Sequence, residues 1–282
     1  MHFDRPLGHQ SRSVPLPQGV FTGPQNAVTT MRDAVCMPRA CLFCGRTPVS
    51  SEHAVALWTG DVIPGSGPWM HGHRERHGDD PIREWSKSAP DLKCNVPCRA
   101  CNNGWMSALE GRAKPVLTPM FQGSPRHLQP HELEVICFWA QKTSLMLDRC
   151  SDATRQNIPD AEFQELYVAQ SALPSAHIWT GKCDVSRGPS FQARTVELDP
   201  GDARTIGYAA TLCVGHLVFE LISIKLTGPV KLGLKPDVLT HLAPIRPRGF
   251  KLDWPATPDL TWRQVADLGD RIADSGLRIY PA

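Results

Sequence analysis

Apolar positions fall into a helical stripe at two places along the chain. Asn102, Met106, Leu109, Ala113 and Val116 or Leu117 recur every three to four residues, which predicts a helix opening near Cys98. Pro115 is expected to end or kink it. Leu133, Ile136, Cys137, Ala140 and Leu147 repeat the pattern and predict a second helix over 131–149. Pro130 suits its start, Glu132 and Glu134 the positive end of its dipole, and Arg149 the negative end. Residues 160–170 suit a short helix, and Thr261-Trp-Arg-Gln264 has the form of a capping box opening a last helix to about Ala273.

Strand patterns lie between these helices. His53-Ala-Val-Ala-Leu-Trp58 is short and apolar, and Leu92 to Pro97 is its predicted returning partner. Repeated Gly and Pro, three histidines and mixed charges over 60–92 predict a long loop joining the two. Further on, His177–Thr180, Phe191–Leu198, Ile206–Val214 and Leu217–Ile224 read as four strands, with breaks at Gly181, Gly188, Gly201 and Gly215. Residues 1–37 are rich in Pro, Gly, Ser and Gln without periodicity and predict a disordered tail. A true start at Met31 or Met37 is the alternative for that segment.

Composition narrows the classes. With 41% hydrophobic and 21% charged residues, the 282-residue chain can pack a core. Its 30 Lys+Arg against 28 Asp+Glu exclude a polycation, so any nucleic-acid contact has to be a local patch. The longest apolar stretch, Thr205 to Ile224, carries His216 and Glu220, so no membrane span is expected. The N-terminus lacks the basic start and apolar run of a secretory signal, which points to the cytoplasm.

The 10 cysteines are then better suited to metal binding than to disulfides. Cys41-Leu-Phe-Cys44 and Cys98-Arg-Ala-Cys101 are both C-x2-C pairs, where a random draw gives roughly 0.35. Two such pairs can close a tetrahedral four-thiolate zinc site. Zinc supplies on the order of 10–16 kcal/mol to small domains, help that a loop-rich module needs. The other readings of these residues are packed thiols, or a redox C-x2-C without its usual βαβ setting. The resulting organisation is a tail over 1–37, a zinc module over 38–122 and an α+β C-terminal domain over 123–282 with antiparallel strands. The last carries no recognisable nucleophile, P-loop or metal cluster.

Ser51-Glu52-His53 lies between the cysteine pairs, and the second pair runs into Cys101-Asn102-Asn103-Gly104-Trp105-Met106-Ser107-x-Leu109-Glu110. Together these residues resemble the HNH endonucleases of bacteria and their phages. The resemblance covers 41 to about 121, and the downstream Trp139-Ala-x-Lys142-Thr143 is also similar. It implies a ββα-metal fold, hydrolysis of DNA phosphodiesters, and a structural zinc on Cys41, Cys44, Cys98 and Cys101. It also implies His53 as general base, with Glu52 and Asn102 as ligands of one catalytic divalent ion, Mg2+. Asn95 on the returning segment is the candidate to orient His53. The residue chemistry agrees: a histidine suits proton removal from water near neutral pH, and hard oxygen donors suit Mg2+. Two departures stand out. Ala54-Val55-Ala56 lacks the proline that commonly follows the acidic-His pair, and the Lys or His usual after Cys-Asn is replaced.

Each residue also has a plainer reading. Glu52 suits a solvated acid, His53 an ordinary strand position, and Asn102 a helix N-cap. Trp105 and Met106 suit core packing, and Cys94 a packed thiol. His71, His73 and His77 with Arg74, Arg76, Arg83 and Lys87 fit a DNA-backbone patch or a solvated loop. The Arg263, Asp267 and Arg271 charges fit a solvated face. Because adjacent strand residues face opposite ways, Glu52 and His53 share a site only at a strand end or bulge. The competing function is a non-catalytic zinc-stabilised module that binds nucleic acid or protein, and a homodimer is one assembly to test.

Overall fold

The computed structural model describes residues 39–63, 69–73, 83–87, 92–150, 156–198, 205–225, 230–245, 250–272 and 277–281. For 69–73, 83–87, 197–198, 205–206, 230–231 and 278–281 it describes the backbone alone. The tail reading over 1–37, the starts at Met31 or Met37 and the break at Gly201 lie outside these residues.

After the first cysteine pair come β1 (Glu52–His53) and α1 (Trp58–Val62). The strand expected over His53–Trp58 is corrected to a two-residue strand that ends at His53. Ala54 and Val55 are both buried, so the in–out alternation of a strand fails. Thr59 Oγ1 donates to the Ala56 carbonyl oxygen at 2.8 Å and turns the chain into α1 instead. The long loop expected over 60–92 is corrected as well. α1 occupies its start, and β2 (Trp69–His73) pairs antiparallel with β3 (Arg83–Lys87), Trp69 opposite Lys87 and His73 opposite Arg83. That ladder gives the backbone polar groups partners that a loop would leave to water.

β4 (Lys93–Cys94) returns antiparallel to β1, with Glu52 opposite Cys94 and His53 opposite Lys93. α2 (Arg99–Cys101) follows, widens into a π-helical turn over Asn102–Met106, and continues as α3 (Ser107–Phe121). Gly104 leaves helical dihedrals inside the wide turn, at φ −91° and ψ −109°. Pro115 does not end the helix, and neither does Pro119. An interior proline costs about 3 kcal/mol. Val116, Leu117, Met120 and Phe121 are all buried beyond Pro115, and each such side chain contributes about 1.5–3 kcal/mol.

β5 (Arg126–Leu128) leads into α4 (Pro130–Asp148), the helix expected over 131–149. Gln129 and Glu132 form its capping box. From Ile136 to Asp148 every residue is buried, so α4 is enclosed on all sides rather than amphipathic. α5 (Asp160–Ala169) is the short helix expected over 160–170. β6 (Ala176–Leu198) and β7 (Thr205–Ser223) then form one long antiparallel ribbon. The four strands expected here are two, because Gly181 and Gly188 lie inside β6 and Gly215 inside β7. Register shifts between Lys182 and Arg187, and between Arg187 and Ser190, absorb the irregularity as bulges. Gly215 sits at φ +63°, and a Cβ there would lie 2.2 Å from the Phe121 carbonyl oxygen, where the ribbon crosses the end of α3.

The remainder comprises β8 (Val230–Leu234), α6 (Pro236–Leu239), β9 (Ala243–Ile245), β10 (Leu252–Trp254), α7 (Trp262–Arg271) and β11 (Leu277–Pro281). β9 joins the free edge of β6, β10 pairs with β5, and β11 pairs with β8. The Thr261–Gln264 capping box opens α7 as its sequence predicts.

The fold is α+β with antiparallel sheets. One core cluster runs from Cys41 and Phe43 through Leu109, Leu133 and Phe163 to Phe219 and Trp254. A second, around Cys183, Val218, Leu260, Val265 and Leu268, also uses residues of the ribbon and α7. Residues 38–282, on both sides of the boundary expected at 122/123, group as one compact unit. Buried residues of α3 and α4 belong to one core cluster. No helix among the described residues is long and apolar enough to cross a membrane.

Candidate metal centre and active site

The first cysteine pair is shaped by a tight turn. Gly45 N–H donates to the Cys41 carbonyl oxygen at 2.8 Å and Cys41 N–H to that of Arg46 at 2.9 Å. Gly45 takes φ +73°, a conformation that suits glycine. The second pair sits where α2 begins. Cys98 is its extended N-cap and Cys101 lies in the first turn. Leu42 N–H to the Val96 carbonyl, at 3.3 Å, and Ser50 N–H to the Pro97 carbonyl, at 2.9 Å, lock the two segments together.

The four Sγ atoms of Cys41, Cys44, Cys98 and Cys101 lie within 4.8 Å of one another. Cys41 and Cys101 are 3.8 Å apart, and Cys44 and Cys98 3.6 Å. Zinc–thiolate bonds of about 2.3 Å in a tetrahedron require sulfurs about 3.8 Å apart, so the cluster can hold zinc. Cys41, Cys98 and Cys101 are buried and Cys44 is half-buried, as suits a closed structural site. Burial raises the Cys98 thiol, but the Cys101 backbone N–H and the neighbouring thiols outweigh it and bring the group down to about 7. Burial dominates at Cys44 and Cys101 and raises both. A dication suits such a cluster because it stabilises all four thiolates together.

One helical turn away, Asn102 Nδ2 donates to Glu52 Oε2 at 2.6 Å. The same Nδ2 lies 3.2 Å from Asn103 Oδ1. The N-cap reading of Asn102 is therefore corrected, since Cys98 holds the cap position and the Asn102 side chain turns to β1. Glu52 is half-buried rather than fully solvated. His53 is the next residue and ends β1. Opposite residues of an antiparallel pair share a face, which places His53 beside Lys93 and Glu52 beside Cys94.

Asn95 is exposed one residue past β4. Among the described residues no hydrogen bond joins it to His53, so the structure brings Glu52 and Asn102 together and leaves Asn95 apart. Cys94 is outside the four-sulfur cluster. It is buried with its Sγ 3.9 Å from Met146 Sδ, a packed thiol. Cys150 beside it and its own burial push Cys94 up. Met106 is core, and Trp105 stacks on Phe138 with ring centroids 5.5 Å apart. Arg263 pairs with Asp267 and Arg271 with Asp237 on exposed surface, as a solvated face would. The side chains of His71, His73, Arg83 and Lys87, and all of Arg74, Arg76 and His77, lie outside what the structure describes.

The residue that sequence reasoning missed is Glu110. Its Oε2 accepts from Trp58 Nε1 and from Trp139 Nε1, each at 2.9 Å, and its Oε1 is paired with Lys142 Nζ. The last residue of the Cys101–Glu110 phrase thus meets Trp139 and Lys142 of the downstream phrase at its carboxylate. Their presence was visible in the sequence. Their meeting was not, because it spans two helices that periodicity treats separately.

No protein-family model matches the chain, and neither curated proteins nor solved structures give a match.

Proposed function

We propose that this protein is a metal-dependent endonuclease of the HNH type that hydrolyses DNA phosphodiester bonds. The observation that carries the reading is the 2.6 Å contact between Asn102 and Glu52, with His53 adjoining, beside the four-cysteine cluster. The order of elements supports it: an antiparallel pair, β1 and β4, then a helix rooted in the cluster. That order fits a ββα-metal module whose zinc is structural.

In this reading His53 removes the proton from the attacking water, a task suited to an imidazole near neutral pH. Asn102 commits its Nδ2 to Glu52, which leaves its Oδ1, with the Glu52 carboxylate, as hard oxygen donors. These two residues would hold a divalent ion such as Mg2+, which when bound stabilises charge on the phosphate and the leaving oxygen. The half-buried setting of Glu52 strengthens its interaction with a cation relative to open water.

Supercoiled plasmid incubated with zinc-loaded protein and Mg2+, Mn2+ or EDTA tests the reading. Cleavage with either metal and none with EDTA is the expected result. DNA retention without cleavage would move the assignment to a non-catalytic zinc module.

A further inference from the structure

Glu110 stands two helical turns beyond Asn102, and its carboxylate does more than fill a core position. Trp58, which donates to it at 2.9 Å, opens α1 five residues after His53. Two contacts therefore join the chain segment that runs from β1 into α1 to the continuous helix that runs from the π-helical turn into α3. Asn102 meets Glu52 at 2.6 Å at one end, and Glu110 meets Trp58 at the other. Together they close a ring that runs from His53 along the chain to Trp58, across to Glu110, back along the helix to Asn102 and over to Glu52. Two points of attachment fix the rotation of one element against the other, which a single contact leaves free.

The rest of the cluster holds the carboxylate in place. Trp139 is fully buried and the Lys142 side chain is only 4% exposed, so α4 clamps Glu110 from behind. Trp58 is steadied in turn by stacking on Phe121, with centroids 5.6 Å apart and planes 17° apart.

We propose that Trp58 and Glu110 are positioning residues of the active site: their hydrogen bond sets the strand bearing Glu52 and His53 against the helix bearing Asn102. This inference rests on the nuclease reading. A purely structural latch would change only stability, whereas a positioning bond also changes how the folded protein takes up a divalent ion.

Trp58→Phe removes one N–H donor and keeps the ring on Phe121. Trp139→Phe removes the other indole donor to the same oxygen and leaves the Trp58–Glu110 link intact. Mn2+ affinity, read as free Mn2+ by electron paramagnetic resonance, and cleavage kinetics are compared on folded, zinc-loaded full chain. For Trp58→Phe, Mn2+ binding should weaken about three- to tenfold, the effect of losing one hydrogen bond. Its kcat should fall about 10- to 100-fold with KM near wild type, as misplacement of reacting groups does. Trp139→Phe should keep wild-type Mn2+ affinity, because the Lys142 ion pair still holds the carboxylate against Trp58. Wild-type affinity and kcat in Trp58→Phe, or equal losses in both variants, would overturn the positioning role while leaving the nuclease reading in place. A wild type that binds no Mn2+ and cleaves nothing, while His53→Ala behaves identically, would overturn the nuclease reading and this inference with it.

Discussion

Asn102 and Glu52 approach to 2.6 Å, shorter than a neutral amide contact, because the acceptor is a carboxylate. In the proposed reading, that pair and His53 make separable demands on the chemistry. His53→Ala should lower cleavage by about 10²- to 10⁴-fold, the usual contribution of a general base. Its melting temperature should stay near wild type, since His53 is half-buried at a strand end with no hydrogen bond among the described residues whose loss would strand a partner. Kinetics and melting curves on the same preparation check both halves. Glu52→Gln keeps an acceptor for Asn102 but removes the charge. It should raise the Mg2+ concentration needed for half-maximal cleavage, measured by metal titration, with little change in folding. Sequence alone could nominate these three residues because their types and places, two between the cysteine pairs and one directly after the second, are local facts. It could not nominate Glu110, since Trp58 reaches it from α1 and Trp139 and Lys142 from α4, and no periodicity encodes that meeting.

Elements were legible where pattern and punctuation agreed. The 131–149 stripe became α4 with its cap, and Thr261–Gln264 opened α7. Misreadings came from residues whose local preference is overridden by packing. Pro115 and Pro119 lie within α3 because the apolar residues around them are buried; in the continuous β6, Gly181 pairs in regular register and Gly188 falls within a register shift, so neither ends the strand. The cysteine cluster draws together the segments that carry β1 and β4, which share two ladder pairs of their own and the Leu42–Val96 and Ser50–Pro97 bonds. Cys41→Ser or Cys98→Ser should therefore abolish zinc binding, which in small domains supplies on the order of 10–16 kcal/mol. Amide exchange should accelerate first in 41–54 and 92–101, read by mass spectrometry together with the zinc content. Gly215→Ala meets a different obstacle. Its φ of +63° and the Phe121 carbonyl 2.2 Å from the added Cβ force the ribbon away from α3, and the melting temperature should drop.

At the scale of the whole molecule, Glu220 is a carboxyl fully buried in the ribbon. Thr211 Oγ1 donates to its Oε2 at 2.6 Å, while Oε1 has no partner among the described residues. Burial pushes its carboxyl from the ordinary 4.5 up to about 8, with the Thr211 bond a smaller opposing effect. The folded state thus holds a proton that the unfolded chain releases above about 4.5, and stability falls as pH rises through about 8. Melting temperature should decline between those values in the wild type and decline less in Glu220→Gln, since each pKa unit is worth about 1.4 kcal/mol. The same compact unit that buries Glu220 also carries the cluster and the site, so stability and catalysis have to be separated by direct measurement. The most direct is plasmid cleavage by wild type and His53→Ala, side by side with Mg2+ and EDTA, after both are shown to carry equal zinc. Metal-dependent cleavage by wild type alone is the predicted result. Equal cleavage by both proteins, or zinc-loaded wild type inert on supercoiled, linear and single-stranded DNA, would contradict the account.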